Sequence, residues 1–388
     1  MKKRTITVFT GTRAEYGLIR PLLCKIESSK KFELDLVVTG THLEKEFGNT
    51  IKEIQKDGFK KLYKIPLKLK SDDAAGLTDA MAELTLKLGR HFKKMKPDFF
   101  FVLGDRYEAL TATTTAAFHQ IPIGHINGGE LTEGAMDDSF RHAITKLSYL
   151  HFSSAEVYQK RIISMGEEPS RVFNVGHLCA DSIREYSLYS KNEIKKKLGI
   201  PMNNSIYLIT FHSETNRSNK LKTDLSHLLN QLKKSSETLI FTMANADPGG
   251  NYINEQIRKF VSKKTDSRFL FSSLGIHMYL SLMKVSAAVI GNSSSGISEA
   301  PLLGVPTINI GDRQKGRLRA VSIIDIDCTE LAIAKALKHI QTSKFQKKQS
   351  RIISPYGSGN ASKKIVSILE KNDLSKLSPK VFHEKRAR

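Results

Sequence analysis

Short runs of β-branched and aromatic residues alternate with segments of helical periodicity along the whole chain, and this alternation restricts the fold more than any other feature. The runs Thr5 to Thr10, Glu33 to Thr39, Asp98 to Leu103 and Ile121 to Ile126 read as strands of repeated βα units on a mostly parallel sheet. Two further runs, Tyr149 to Ser153 and Arg171 to Val175, close a first half. The pattern restarts with Ser205 to Phe211, Thr238 to Met243, Arg268 to Ser272, Ala287 to Ile290 and Pro306 to Ile310, which predicts a second doubly wound unit. At 388 residues the chain exceeds the roughly 100 to 200 residues of one ordinary domain. An α/β protein of two doubly wound domains is therefore expected, 1–175 and 176–372, with the boundary near Gly176 and a last helix at Ala361 to Leu369. A basic tail, 373–388, is expected to be disordered.

Composition narrows the class. No apolar run approaches the roughly 18 residues of a bilayer span, and the basic start MKKR leads into a short β-branched stretch unlike a secretory signal, so no membrane association is expected. The formal charge of +22 raises the question of a nucleic-acid partner. Its lysines are spread over many amphipathic segments, however, with local concentrations only at Lys195 to Lys197 and in the tail, which reads as solvated faces and no nucleic acid. Cys24, Cys179 and Cys328 lie far apart without a C-x-x-C spacing, and are expected to be buried, reduced and inert.

In open parallel sheets ligands bind beyond the carboxyl ends of the strands, so the loops after strands are where chemistry is sought. After the first strand comes Gly11-Thr-Arg-Ala-Glu-Tyr-Gly17, a tight turn whose helix is expected to begin near Glu15, with Arg13 at its mouth. Such a loop suits a phosphate or a plain strand-to-helix turn. It matches neither G-x-G-x-x-G nor G-x-x-x-x-G-K-[ST], so neither a dinucleotide cofactor nor a P-loop is expected. The strand ending at Leu103 delivers Gly104-Asp105-Arg106, in which Asp105 is either a working carboxylate or a helix cap. The next delivers His125-Ile-Asn127-Gly-Gly-Glu130, followed by Asp137, Asp138, Arg141 and His142. Paired glycines before an acid point to close backbone approach, and carboxylates converging on one cleft would push their pKa values apart, as acid and base roles require.

The second half carries anion-binding chemistry. Gly291-Asn292-Ser293-Ser294-Ser295-Gly296 follows an apolar strand, and small hydroxyl residues opening a helix present N–H groups and the positive end of its dipole to a diphosphate. Glu299, one turn further, is placed to accept from ribose hydroxyls, and Arg313 in Asn309-Ile-Gly-Asp-Arg313 to offset charge on a departing nucleotide. His212 ends a strand, where its imidazole can meet a phosphate or shuttle a proton, and Asn245 and Asp247 follow another.

Taken in order, GTRAEYG, LGDR, GGELTEGAMDDSFRHAITK, GNSSSG and GDRQKGR resemble the UDP-N-acetylglucosamine 2-epimerase family, specifically its hydrolysing branch, which opens sialic-acid-type sugar pathways. The resemblance spans nearly the whole chain. It implies two Rossmann-like domains facing a central cleft in a glycosyltransferase-B type fold, a nucleotide-sugar substrate, no metal, no cofactor, and a cytoplasmic homodimer. The reaction it implies takes the C2 proton from UDP-N-acetylglucosamine, expels UDP by anti elimination to a glycal, and adds water to release N-acetylmannosamine. The same reaction on a UDP- or GDP-linked 2,4-diacetamido-2,4,6-trideoxyhexose is the alternative. By motif match, Arg13 and Arg313 bind the diphosphate, Ser293 and Ser294 hold phosphate oxygens and Glu299 takes the ribose. Asp105, Glu130, Asp137 and Asp138 form the acid/base set, with Arg106 and His212 nearest the phosphates and sugar. Gly17, His142, Asn245, Asp247, Asn292, Ser295 and Gly296 complete the substrate-binding set. Leu18 stands where non-hydrolysing relatives carry a lysine, which favours the hydrolysing branch, and Asn127 stands where several members have a glutamate, which leaves the proton-transfer burden on Glu130.

Two rivals share parts of this pattern. A glycosyltransferase of the same fold would recognise a nucleotide with the same GNSSSG loop and Glu299 but would require an acceptor. A non-catalytic polyanion-binding protein would make use of the net charge, but loop carboxylates repel phosphate backbones.

Overall fold

The structure is a computed structural model that describes residues 3–45, 48–67, 71, 73–214, 219–245, 247–262, 267–349, 353–372 and 380–384. The chain forms two compact units, one of Met1–Glu130, Asp137–Glu185 and Tyr356–Arg388, the other of Leu131–Met136 and Tyr186–Pro355.

The first unit runs β1 (Arg4–Thr10), α1 (Arg13–Ser28), β2 (Phe32–Thr39), α2 (Ile51–Lys56), β3 (Leu62–Ile65), α3 (Ala74–Met95), β4 (Phe99–Leu103), α4 (Tyr107–Phe118), β5 (Ile123–Ile126), α5 (Asp137–Leu147), β6 (Leu150–Ser153), α6 (Glu156–Ser164), β7 (Val172–Asn174) and α7 (Cys179–Glu185). Its sheet is parallel, in the order β3-β2-β1-β4-β5-β6-β7. The central run FFFVL of β4 is buried throughout because both faces of the sheet are covered. Strand pleating sends Phe99, Phe101 and Leu103 into one core and Phe100 and Val102 into the other.

The second unit contains α8 (Lys191–Leu198), β8 (Ile206–Thr210), α9 (Leu221–Leu232), β9 (Thr238–Thr242), α10 (Gly250–Ser262), β10 (Arg268–Phe271), α11 (Gly275–Val285), β11 (Ala288–Gly291), α12 (Ser295–Ser298), β12 (Thr307–Ile310), β13 (Ile323–Ile326), α13 (Glu330–Ile340) and α14 (Ser343–Gln349). Its parallel sheet has the order β10-β9-β8-β11-β12-β13. The last helix, α15 (Ala361–Lys371), packs in the first unit, where Ala361, Ile365 and Leu369 join the core with Ile6, Leu22 and Leu178.

This return moves the boundaries expected from sequence. The chain leaves the first unit at Glu185 instead of Gly176, and residues from Tyr356 onward rejoin it. The reason is non-local. Asp181 in α7 accepts from the backbone N–H groups of Ala361 (3.1 Å) and Ser362 (2.7 Å), filling the open N-terminus of α15 from 180 residues away. Asn360 itself adopts φ 70° and offers no side-chain cap. Of the tail expected to be disordered, 373–379 and 385–388 lie outside the described residues, while 380–384 lie on the first unit. Strands β3 and β13, absent from the sequence reading, are short sheet edges with half-exposed residues. Only Cys179 is buried as expected; Cys24 and Cys328 are partly exposed, and burial raises the Cys328 thiol to about 12.

Candidate active site

Strand order reverses once in each sheet, between β1 and β4 in the first unit and between β8 and β11 in the second. Loops leaving adjacent strands diverge at such a point and open a crevice at the carboxyl ends. The residues singled out from sequence follow those strands and their neighbours β5, β9 and β12.

In the first unit, Arg141 of α5 is the organising side chain. It is 1% exposed and donates from Nη2 to the carboxylate of Asp105, which follows β4, and from Nη1 to the carbonyl of Asn127 at 2.9 Å. Nη1 also lies 3.9 Å from Glu130 Oε2, whose other oxygen accepts from Ser154 Oγ at 2.6 Å. Two carboxylates thus share one buried guanidinium, the arrangement that keeps a buried charge tolerable. Asp105 remains the more open of the two, its side chain 19% exposed against 1% for Glu130. Asp137 and Asp138 open α5, where the helix dipole favours anions, and Asp138 pairs with His142 one turn on at 3.5 Å.

The backbone of this loop is shaped by its own packing. Asn127 holds φ 63°, a left-handed conformation that Asn tolerates better than most residues, and its Nδ2 meets His177 Nε2 at 3.0 Å. Gly129 has φ +76°, and a Cβ there would stand 2.6 Å from the Tyr158 carbonyl. Gly129 is therefore required by α6, and a Cβ at Gly128 would stand 2.8 Å from His125 Nδ1 and 3.1 Å from Thr145 Oγ1. His125 is buried; desolvation lowers its pKa to about 3, so the ring is neutral and must donate through Nε2 to the Gly104 carbonyl at 2.8 Å.

The loop after β1 is a capped strand-to-helix turn. Helix α1 starts at Arg13, earlier than expected, with Thr12 as its cap in a reciprocal capping box with Glu15. Glu15 Oε2 accepts from the N–H groups of Gly11 (2.7 Å) and Thr12 (3.1 Å), so those amides are already taken by an internal anion. Burial, then the nearby Glu108, raises the Glu15 pKa to about 7, against the opposing pull of Arg106 and the two amides. Arg106 is itself held bidentate by Glu108, at 3.0 and 3.2 Å. Gly17 lies inside α1, where its carbonyl accepts from Ser182 Oγ of α7 at 2.8 Å.

In the second unit Asn292 is the corresponding hinge pin. Its Oδ1 accepts from the His212 N–H at 2.7 Å and its Nδ2 donates to the His212 carbonyl at 2.9 Å, locking the loops after β8 and β11 together. The Asn292 carbonyl accepts from Arg313 Nη1 (3.3 Å) and Gln314 Nε2 (2.9 Å), which brings in the loop after β12. Asn245, after β9, donates its N–H to His212 Nδ1 at 3.3 Å; the ring therefore carries its proton on Nε2. Arg313 Nη2 stands 4.0 Å from Asp247. Helix α12 is a single turn, with Glu299 at its C-terminal end beside Ser298. Among the described residues the amides of Ser293 and Ser294 meet no acceptor, whereas the Ser295 hydroxyl is bonded to Tyr279 (2.6 Å) and Ser293 (3.0 Å). Gly296 is buried against Thr307, whose hydroxyl donates to its carbonyl at 2.7 Å.

Residues 24–370 match the family model described as UDP-N-acetylglucosamine 2-epimerase. The chain belongs to this family. Among its relatives, the GDP/UDP-N,N'-diacetylbacillosamine 2-epimerase (hydrolyzing) of Campylobacter jejuni is 43% identical over 89% of this chain and 90% of that protein. The polysialic acid biosynthesis protein P7 of Escherichia coli is 37% identical over 95% of this chain and 94% of its own length. In fold, the chain is similar to the crystal structure of UDP-GlcNAc 2-epimerase from Neisseria meningitidis bound to UDP-GlcNAc, with a TM-score of 0.80, 22% identity, and coverage of 95% and 100% of the two chains. The two parallel sheets with their covering helices are thus the architecture of the epimerase family.

Of the site residues expected from sequence, the first unit brings Asp105 and Glu130 onto Arg141, with Asp137, Asp138 and His142 on the same helix. The second unit gathers His212, Asn245, Asp247, Asn292 and Arg313 into one bonded set. Gly17 joins neither. Arg141, Glu108, Ser154 and Glu214 were not selected from sequence. Arg141 and Glu108 sit one helical turn or less from selected residues and were legible as helix neighbours; Ser154 and Glu214 carry no local signal. Glu214 accepts from the N–H groups of Asp312 (2.8 Å) and Arg313 (3.2 Å), fixing the Arg313 loop.

Proposed function

We propose that this chain is a hydrolysing 2-epimerase of a nucleotide-linked 2-acetamido sugar. The observation that supports it best is Arg141 holding Asp105 and Glu130 at the carboxyl end of a doubly wound sheet, where a transferase needs only to bind a donor. In the reaction a base takes the C2 proton, the electron pair forms the C1–C2 double bond, and the C1–O bond breaks to release the nucleoside diphosphate. Water then adds its hydroxyl to C1 while a proton returns to C2 on the opposite face.

The second unit holds the leaving group. The Ser293 and Ser294 amides, the Arg313 guanidinium and the Nε2–H of His212 stabilise the diphosphate as its charge grows, and Glu299 accepts from the ribose. Asn292 and Asn245 position them; Asp247 orients Arg313. In the first unit Asp105 is the foremost proton carrier because it is the more exposed carboxylate on Arg141, with Asp137 and Asp138 completing the set. Glu130, sealed against Ser154, balances the guanidinium.

For the sugar, the 43% identity to the Campylobacter diacetylbacillosamine epimerase supports a UDP- or GDP-linked 2,4-diacetamido-2,4,6-trideoxyhexose ahead of UDP-N-acetylglucosamine. Incubation with each donor in heavy water, followed by NMR, tests the whole reading. Nucleotide release with deuterium at C2 of a free 2-epimeric sugar is expected, fastest with the diacetamido donor. Release that depends on an added acceptor would instead establish a transferase.

A further inference from the structure

The C-terminal tail provides the missing end of α5. The last carbonyls of any α-helix lack intrahelical donors and carry the negative end of its dipole. In α5 the Ile144 and Thr145 carbonyls accept from Ser148 Oγ (2.7 Å) and N–H (3.1 Å), and an ammonium from far along the chain meets Lys146 and the turn beyond. Lys380 Nζ donates to the carbonyls of Lys146 (2.5 Å) and Ser148 (2.8 Å) and lies 3.5 Å from that of Thr145. Its charge is balanced by Glu167 Oε2 at 2.8 Å, and Glu167 also binds Lys146 Nζ at 2.6 Å and His151 Nε2 at 3.0 Å. Burial alone would push the Glu167 carboxyl up, but these three partners hold it down to about 2. Beyond Lys380, Phe382 lies under the Lys146 ammonium at 5.0 Å, and the His383 N–H donates to the Gly166 carbonyl at 2.9 Å. Residues 380–383 are thus fastened at four points, although composition marks the tail as soluble and unstructured.

The helix so capped is the one that carries Asp137, Asp138, Arg141 and His142. The connection to Arg141 is short. Thr145, whose carbonyl faces Lys380, donates its hydroxyl to the Arg141 carbonyl at 3.0 Å, and Arg141 reaches Asp105 and Asn127 through its guanidinium. A shift of α5 along its axis would therefore draw Arg141 off both partners.

We propose that Lys380 is a positioning residue of the Arg141-centred site, clamping the C-terminal end of α5 so that Arg141 and the aspartates of its first turn stand in register with Asp105. This rests on the epimerase reading above. The test compares Lys380→Met, Lys380→Arg and Phe382→Ala in the full chain, with the donor that wild type turns over. Readouts are kcat, KM, UDP affinity by calorimetry, melting temperature and hydrogen exchange of the α5 amides. Lys380→Met is expected to lower kcat on the order of tenfold or more, as small misplacements of reacting groups do. UDP affinity should stay within about twofold, since the nucleotide contacts lie in the other unit. Exchange across α5 should accelerate, and Lys380→Arg should restore most of the rate. Should Lys380→Met fail to fold, Phe382→Ala, which keeps the ammonium but loosens its anchor, is expected to show the same kcat loss in milder form. Wild-type kcat in a folded Lys380→Met or Phe382→Ala protein would overturn the proposal, as would a rate loss that merely follows the unfolded fraction. Asp105→Asn separates the two levels: if it is inactive while Lys380→Met is normal, only the positioning role falls; if it is fully active, the site reading falls and this inference with it.

Discussion

Arg141 Nη1 donates to the main-chain carbonyl of Asn127 over 2.9 Å while Nη2 of the same side chain holds the Asp105 carboxylate. One guanidinium therefore sets both the strained β5 loop and the acid after β4, so its loss should be felt in folding and in chemistry together. Arg141→Met is expected to destabilise the protein by about 3–5 kcal/mol, because the buried Glu130 and the half-buried Asp105 lose the guanidinium that offsets their charge. Urea denaturation measures this cost.

Asp105→Asn should behave differently. The amide keeps the shape and can still accept from Arg141, but it cannot take up a proton. Turnover is expected to vanish while UDP affinity stays nearly intact, checked by single-turnover NMR and by calorimetry on the same preparation. Retained turnover would remove Asp105 from the acid/base set.

Arg313→Ala addresses the other unit. Arg313 is held by the Asn292 carbonyl at 3.3 Å and by Glu214, which accepts from its N–H at 3.2 Å, so the loop should survive truncation of the side chain. UDP binding is expected to weaken by about tenfold to a hundredfold, roughly 1.5–3 kcal/mol for a charge-assisted contact. Unchanged affinity would exclude Arg313 as a phosphate ligand.

Asn292→Ala removes both hydrogen bonds that its side chain makes to the backbone of the buried His212. The expected cost is about 0.5–1.5 kcal/mol for each hydrogen bond lost, read as a lower denaturation midpoint. An unaltered midpoint would show that the two loops hold their places without this clamp.

Glu15 predicts a pH dependence. Burial and Glu108 raise its pKa from 4.5 to about 7 in the folded protein. A carboxyl whose folded pKa lies above its unfolded value favours the folded state when protonated, so this contribution is complete below about pH 4.5 and is lost as pH rises through about 7. At about 1.36 kcal/mol per unit, the loss is on the order of 3 kcal/mol. Glu15→Gln should flatten the stability profile across that window, measured by denaturation at several pH values. An identical slope in the variant would place the titration elsewhere.

Part of this is legible in the sequence. The runs that became β1, β4, β8 and β11 are rich in β-branched, aliphatic and aromatic residues because central parallel strands are covered on both faces, and such runs stand out in a linear sequence. Edge strands β3 and β13 are half exposed and merge with their surroundings. The GDR, GGE and GNSSSG loops stand out because they follow the buried strands β4, β5 and β11. Arg141 is visible in the sequence beside His142, but its role is not, since nothing local shows that a helical arginine turns inward to a loop from another strand.

The order of strands and helices, and with it the carboxyl-end loops that carry the acids and the small hydroxyl residues, was determined by the sequence alone, because hydrophobic periodicity and turn chemistry act over a few residues. Tertiary structure decided what depends on partners far apart in the chain: Asp181 drawing α15 back into the first unit, Asn292 pinning the backbone of His212, and Lys380 closing the end of α5. A hydrogen bond between a carboxylate or an ammonium and a backbone group leaves no periodic trace, and it exists only once folding has paid the entropy of bringing both ends together.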